Sequence, residues 1–255
     1  MTLASCDSRK TAGENPFFTE WDTPHGVPPF DKILPEHFMP AFERGMSLHE
    51  AEIDAITSNK DEATFENTIL AYDDAGQMLA QTELVFGMLC AAETNDRMQA
   101  LQEQAMPLLA AHRDKIRLDD KLFVRVKEVY DRRAALGLDA EQMRLLQKTY
   151  DSFVRAGALL DAEQKARLKE INGQLSLTAV KFGNNILAEN NNFVLELKSD
   201  ELDGLPAGIR DAAREKARQM GKGDKWVFTL HKPSLIPLLT YSTKRDLREK
   251  IYKAY

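Results

Sequence analysis

The sequence is poor in the residue types that build several common classes of site. It contains 2 cysteines in 255 residues, Cys6 and Cys90, so a disulfide framework is excluded. Cys90 lies in an apolar stretch, which predicts a small buried side chain. No apolar run approaches the length needed to cross a membrane. Hydrophobic residues nevertheless make up 43% of the chain, which is enough to build a folded core.

Histidine is also scarce, and its spacing excludes the common zinc-peptidase helix. That helix needs His-Glu-x-x-His, because two imidazoles four residues apart share one face and the glutamate acts as base. The sequence has one His-Glu pair, His49-Glu50, and Ile53 stands where the second histidine is required. His49 instead continues an apolar stripe, which predicts a histidine in the core or at its boundary.

Two further histidines are candidates for a site. His112 and Asp114 resemble a ligand pair, but a single histidine on a helix lacks the further ligands that a metal needs. His231 follows a predicted strand and is the best placed histidine for a functional role, although a structural role in that turn is favoured. The nucleophile elbow, the phosphate loop and the dinucleotide fingerprint are absent. The sequence therefore provides no catalytic residue and no metal ligand, and this chain alone is expected to be inactive.

The charge balance argues against nucleic acid as the main partner. Lys plus Arg is 34 and Asp plus Glu is 40, which gives a net charge of -6, whereas phosphate binding needs a basic surface. The densest basic stretch, residues 210–225, is interrupted by Asp211, Glu215 and Asp224. This mixture predicts a solvated helix face.

The first 14 residues have the character of a processing signal and a tether. Leu3-Ala4-Ser5-Cys6 resembles a bacterial lipobox, in which the cysteine becomes the lipid-bearing N-terminus, and a polar stretch follows it. We therefore expect lipid attachment at Cys6, a membrane tether and a location in the bacterial cell envelope or periplasm. A cytoplasmic location is the alternative.

Residues 15–35 are rich in proline and aromatic residues, which opposes helix formation and predicts an extended arm. Its aromatic side chains need cover, either from the helices of this chain or from further polypeptide. From Pro35 onward, apolar residues recur at helical spacing, as in Phe38, Phe42, Met46, His49 and Ile53. One long helix is predicted from about Thr64 to the region of Cys90.

The predicted fold is mainly α. Asp139 with Gln142 and Asp161 with Gln164 have the spacing of N-terminal capping boxes. The hydrophobic period changes to two near Phe193 and again over residues 226–230, which predicts two short strands that pair as an antiparallel ribbon. No fixed repeat length is present, so a solenoid is disfavoured. The sequence predicts an irregular multi-helix bundle with a short two-stranded antiparallel element near its C-terminal end.

The last residues predict a helix whose partners are missing. Ser242 and Thr243 supply capping side chains, and Leu247, Ile251 and Tyr255 recur every fourth residue as one apolar stripe. No helix stop follows. The expectation is therefore a chain that is truncated, with a final helix that is disordered or packed on a neighbouring molecule.

Short segments spread from Asn15 onward carry a family resemblance. They are Asn15-Pro-Phe-Phe18, Pro28-Pro-Phe-Asp31, Pro35-Glu-His-Phe-Met-Pro-Ala-Phe-Glu43, Thr64-Phe-Glu-Asn-Thr-Ile69, Ala111-His-Arg-Asp114, Gln147-Lys-Thr-Tyr150, Phe153-Val-Arg-Ala-Gly157, Arg167-Leu-Lys-Glu-Ile-Asn172, Leu177 to Glu189, Trp226-Val-Phe-Thr-Leu-His231 and Arg248-Glu-Lys-Ile-Tyr252. In order and number they resemble the N-terminal part of the thimet oligopeptidase family of zinc peptidases, above all its bacterial dipeptidyl carboxypeptidase (peptidyl-dipeptidase) branch.

The resemblance implies a helical, two-lobed peptidase that releases C-terminal dipeptides from short peptides entering a deep channel. In the family, His-Glu-x-x-His and a later glutamate bind one zinc ion, and this sequence contains no such motif. Residues 36–255 would then be the helical N-terminal lobe that walls the channel, and a C-terminal lobe would supply the zinc. The fragment itself is expected to bind none. The alternative from the residues alone is a non-enzymatic helical module that binds peptides or proteins.

Overall fold

The computed structural model describes residues 15–255 and is mainly helical, as the sequence predicts. The helices are α1 (Phe38–Ser58), α2 (Ala71–Asp74), α3 (Gln77–Ala92), α4 (Asp96–Arg117), α5 (Asp120–Asp131), α6 (Ala140–Arg155), α7 (Ala162–Asn192), α8 (Ala207–Gln219), α9 (Lys232–Tyr241) and α10 (Arg245–Ala254). Strands β1 (Leu195–Leu197) and β2 (Trp226–Phe228) form the sheet. The chain divides into two compact units, residues 15–180 and Lys181–Tyr255. Residues 1–14, including Cys6, lie outside the described part of the chain.

An aromatic core joins the arm to the first helices of the first unit. Phe17 of the arm is buried against Phe38 of α1, with ring centroids 5.3 Å apart, and Trp21 donates its indole N–H to the carbonyl of Pro16 at 2.8 Å. The arm is not fully extended, because short 3-10 turns occur at Pro16–Phe18 and Pro24–Gly26. Phe17 is therefore covered by helices of this chain and not by further polypeptide.

A second core in the same unit forms among α5, α6, the end of α1 and a π-helical turn at Phe65–Leu70. Leu122, Val126, Leu146 and Phe153 are fully buried there, each at 0% exposure. The capping box of Asp139 and Gln142 forms at the start of α6 as predicted, with both reciprocal hydrogen bonds present. The Asp161 and Gln164 side chains make the same pair of bonds at the start of α7.

The prediction of one long helix from Thr64 to the Cys90 region is wrong, because the helix is interrupted at Ala75 and Gly76. Gly76 has a φ of 79°, in the left-handed region that favours glycine. The π-helical turn and α2 precede the break, and α3 follows it. Cys90, near the end of α3, is half-buried, and burial raises the pKa of its thiol.

The second unit contains the predicted antiparallel ribbon, with Leu195 opposite Phe228 and Leu197 opposite Trp226. The structure of this unit overturns the expectation that the final helix is disordered or packed on a neighbouring molecule. Leu247 and Ile251 are 7% and 0% exposed, and they belong to an apolar core that includes Leu195, Leu197, Phe228 and Leu238 of this same chain. The predicted cap is also wrong, because the N-cap residue of α10 is Lys244, which makes no side-chain capping hydrogen bond, and the Thr243 hydroxyl donates to Asp203 Oδ2 at 2.6 Å. Of the predicted stripe, only Tyr255 is exposed, at 65%.

Among residues 15–255, no helix combines the length and the apolar character that a membrane span requires.

Candidate functional site

Two histidines from distant parts of the sequence meet inside the first unit. Nε2 of His112 on α4 lies 3.1 Å from Nδ1 of His49 on α1, and the ring centroids are 5.1 Å apart. His112 is 4% exposed and His49 is half-buried. We call this contact and its surroundings the histidine node, defined by His49, Glu50, Glu52, Gly76, His112 and Lys115.

Helical periodicity places both imidazoles in the contact. On α1, Phe42, Met46, His49 and Ile53 follow one face; on α4, Leu109, His112 and Ile116 do the same. Because each histidine continues an apolar stripe, packing the two stripes together brings the two polar rings into one buried place. Burying a polar group without a partner is costly, and the mutual hydrogen bond offsets that cost.

The Glu50 carboxylate faces Nδ1 of His112, a buried nitrogen that makes no hydrogen bond of ordinary geometry within residues 15–255. Its Oε1 lies 3.4 Å from Nδ1 of His112, and its Oε2 lies 2.7 Å from the Lys115 ammonium. Because a carboxylate favours a hydrogen on the nitrogen that faces it, we infer that the neutral His112 carries its proton on Nδ1. In that tautomer, Nε2 of His112 accepts the 3.1 Å hydrogen bond and His49 donates it from Nδ1.

Glu52 and Gly76 fix the other side of the His49 ring. Glu52 Oε2 accepts a 2.7 Å hydrogen bond from the backbone N–H of Gly76. A Cβ on Gly76 would lie 2.8 Å from Nδ1 of His49, closer than two such atoms can approach. The absence of a side chain at Gly76 therefore leaves room for this imidazole at the junction between α2 and α3.

The surroundings favour neutral imidazoles. Burial lowers the pKa of both histidines, and the facing His112 lowers the pKa of His49 further. The carboxylates of Glu50 and Glu52 oppose this shift without reversing it. The hydrogen bond from Lys115 holds the pKa of Glu50 below its usual value.

Cavities flank the node on both sides. One of about 400 Å³ is lined by Glu43, Ser47, Glu50, Leu108, His112 and Lys115. Another of about 190 Å³ is lined by His49, Tyr72, Gly76, Glu83 and His112. A separate open groove of about 740 Å³ runs between the aromatic arm and α3, past Phe17, Phe18, Trp21, Met78 and Leu84.

The other two histidine candidates lie in different surroundings. Near His112, the Asp114 carboxylate accepts a hydrogen bond from the Asn172 side-chain amide at 2.8 Å. His231 is exposed at the start of α9, and its backbone carbonyl accepts from the N–H groups of Ser234 and Leu235. The His231 side chain makes no capping hydrogen bond, so its role stays a prediction.

The pairing of His49 with His112 was missed from the sequence. The available signal was a histidine on the apolar stripe of each of two helices. Within residues 15–255, no group of three or more histidine, cysteine, aspartate or glutamate side chains is arranged to hold a metal ion. The node has two imidazoles but lacks a third ligand.

Comparison with known proteins gives consistent relatives. No family model matches the chain. It is 37% identical over 241 residues to dipeptidyl carboxypeptidase of Escherichia coli (strain K12), a match covering 94% of this chain and 35% of that protein. The Salmonella typhimurium protein of the same name is 35% identical over the same shares. Oligopeptidase A of Escherichia coli is 26% identical over 91% of this chain and 34% of its own length. The chain thus spans about a third of the length of these relatives.

Proposed function

Because this chain is homologous to dipeptidyl carboxypeptidase and oligopeptidase A, of the thimet-like oligopeptidases, we propose that it forms the N-terminal, channel-wall part of a peptidase. The parent enzyme would be a zinc-dependent peptidyl-dipeptidase that releases C-terminal dipeptides from short peptides. The match across 94% of this chain carries the proposal.

Zinc does not fit the residues described here. A catalytic zinc site takes three protein ligands and a water, and residues 15–255 provide no such cluster. Under the proposal, the zinc ligands and the glutamate that activates water belong to a further catalytic lobe. No catalytic step is therefore assigned to His49, Glu50 or His112.

The contribution of this chain would be to shape the substrate channel and to restrict which peptides enter it. Large apolar side chains stay exposed along α7 in the first unit, with Leu175 at 62% and Ile171 at 43% exposure. Exposed apolar surface is typical of interaction sites. It supports a wall that faces either peptide substrates or further polypeptide of the parent enzyme.

Metal analysis and peptide hydrolysis of the isolated chain test this assignment. The chain is dialysed against zinc-containing and then zinc-free buffer, and is assayed for dipeptide release from an N-blocked short peptide. Dipeptidyl carboxypeptidase of Escherichia coli serves as the positive control. The proposal expects neither stoichiometric zinc nor dipeptide release from this chain. Retained zinc together with dipeptide release would overturn it.

We further propose that the parent enzyme is tethered to the cell envelope through a lipid on Cys6. The lipobox-like residues 3–6 motivate this location. Intact-mass analysis of the native protein should find Cys6 as a lipid-modified N-terminus. An unmodified Cys6 with residues still attached before it would rule out the tether and favour the cytoplasm.

A non-enzymatic binding module is the second candidate. The groove between the arm and α3, with Trp21 and Leu84 on its walls, is the observation that favours it. Specific peptide binding in this groove by a stable monomer, monitored by Trp21 fluorescence, would support a module that works alone. Absence of such binding would leave the peptidase assignment as the better account.

A further inference from the structure

The histidine node has a property that the proposed peptidase function does not use. The facing nitrogens of His49 and His112 are 3.1 Å apart, a distance that requires one donor and one acceptor. At least one of the two rings must therefore be neutral. When both rings are protonated, both facing nitrogens are donors, and the hydrogen bond is replaced by repulsion between two buried positive charges.

We propose that the His49–His112 pair is a protonation-controlled latch, which fastens α1 to α4 while one ring is neutral and releases them when both are charged. The inference rests on the geometry of the pair and is independent of the proposed peptidase function. It concerns a regulatory contact inside the first unit.

The charges around the latch tolerate one added proton. A protonated His112 would donate to Glu50 from Nδ1 and to Nδ1 of His49 from Nε2, if His49 moved its own hydrogen to Nε2. Glu50 is already paired with Lys115 at 2.7 Å, so its stabilisation of the charge is partial. The first proton therefore keeps the contact between α1 and α4.

A second proton, on His49, would face carboxylates that already bind other groups. Glu52 already accepts from Gly76, and Glu83 of α3 pairs with Arg113 at 3.1 Å. The remaining titratable and charged side chains lining the adjacent cavity are those of Tyr72 and Arg117. Tyr72 is neutral, since burial raises its pKa, and Arg117 is positive. Charging both rings is thus unfavourable in the closed arrangement.

Release would reach beyond the two rings. The His49 imidazole sits against Gly76, so its displacement also frees the junction between α2 and α3. The two flanking cavities, of about 400 Å³ and 190 Å³, give water and a displaced ring room to move. Local opening of these elements, without unfolding of the second unit, is the expected response to acid.

The sign of the pH dependence follows from the direction of the shifts. Both pKa values are lowered on folding, so the unfolded chain binds more protons and stability rises with pH. The stability that the two neutral histidines contribute is complete above about pH 6.5, the ordinary pKa of histidine. It is lost as the pH falls through the lowered pKa values of the folded state. Because the rings interact, the two steps belong to the pair.

Hydrogen exchange and histidine NMR of the full chain test the latch. Exchange of amides in α1, α4 and the Gly76 junction is compared at about pH 8 and pH 5, after correction for the intrinsic pH dependence of exchange. His49→Asn retains a donor near the position of Nδ1 but cannot be protonated. His112→Gln likewise offers an acceptor near Nε2. His231→Gln, in the exposed turn of the second unit, is the matched control.

We expect acid to lower wild-type protection in these elements by about fivefold or more, the factor for losing one ordinary hydrogen bond. His49→Asn should change about twofold or less, and His231→Gln should follow the wild type. The wild-type C–H resonances should show two coupled steps, both below the pH at which a blocked histidine peptide titrates. Unchanged wild-type protection, or an equal acid response in His49→Asn, would overturn the latch. If both node variants fail to fold, independent one-proton titrations in the wild type would overturn it.

Discussion

The rings of Phe38 and Phe86 meet edge to face with centroids 4.9 Å apart, and the two side chains are 0% and 2% exposed. This contact joins α1 to α3 at the centre of the aromatic core of the first unit. Phe42 packs against Phe86 at 5.3 Å and Phe17 against Phe38 at the same distance. The arm, α1 and α3 therefore share one close-packed cluster of rings.

Truncating Phe86 should destabilise the first unit strongly. Phe86→Ala removes a buried ring and leaves a cavity among Phe38 and Phe42, so a loss of about 3–5 kcal/mol is expected. Urea unfolding measures the change. Phe182→Ala is the matched control, because that ring is 66% exposed. It should change stability by about 0.5 kcal/mol or less. Equal losses in both variants would contradict the packing described here.

A side chain added at Gly76 should destabilise the protein, whereas one added at Gly87 should not. Gly76→Ala adds strain at a positive φ and a contact of 2.8 Å with His49, so it should destabilise by more than about 1 kcal/mol. Gly87→Ala lies inside α3 with open space at the Cβ position. It should stabilise by up to about 1 kcal/mol through helix propensity. Thermal unfolding of both variants measures these changes. A Gly76→Ala variant as stable as the wild type would contradict the close packing of the His49 ring against the Gly76 backbone.

Arg125 should be needed for the turn that leads into the π-helical segment. It is 9% exposed and donates to the carbonyls of Asn59 and Asp61 at 3.0 and 3.2 Å and to Asn67 Oδ1 at 3.1 Å. Arg125→Met removes these donors and leaves the half-buried acceptors of Asn59 and Asn67 without their charged partner, with an expected loss of about 2–3 kcal/mol.

The control for Arg125 is Arg167→Met, at a surface site on α7 where the arginine pairs with Glu170. Such exposed pairs contribute about 1 kcal/mol or less. Chemical denaturation of both variants gives the comparison, and equal small effects would show that the Arg125 hydrogen bonds do not hold the turn.

The N-terminus of α6 should depend on its cap. Asp139 Oδ1 accepts from the backbone N–H groups of Glu141 and Gln142, both at 2.9 Å. Asp139→Ala should cost about 1 kcal/mol, whereas Asp139→Asn keeps an acceptor and should cost clearly less. Thermal unfolding by circular dichroism resolves the two variants. Identical melting temperatures would argue against a capping role.

Local signals in the sequence were sufficient for much of the fold. The caps at Asp139 and Asp161 and the alternation that marks β1 and β2 act over a few residues, so the sequence alone predicts them. The same holds for the apolar stripe of α1, whose Phe38, Phe42 and Ile53 are buried as expected.

Long-range contacts explain what the sequence did not reveal. His49 and His112 are 63 residues apart, and no local pattern says that their stripes pack together. The sequence also does not show that the His49 ring packs against the backbone at Gly76, where the predicted helix is interrupted. The stripe of Leu247 and Ile251 was assigned to missing partners, because the core formed by Leu195 and Leu238 is visible only in the folded second unit.

The proposed function makes this chain one part of a zinc peptidyl-dipeptidase. Determining the coding sequence that follows the codon of Tyr255 in the source genome tests it most directly. The proposed function requires an open reading frame that continues into His-Glu-x-x-His and a later glutamate, the zinc-binding residues that residues 15–255 lack. A stop codon immediately after Tyr255, or a continuation without this motif, would contradict it.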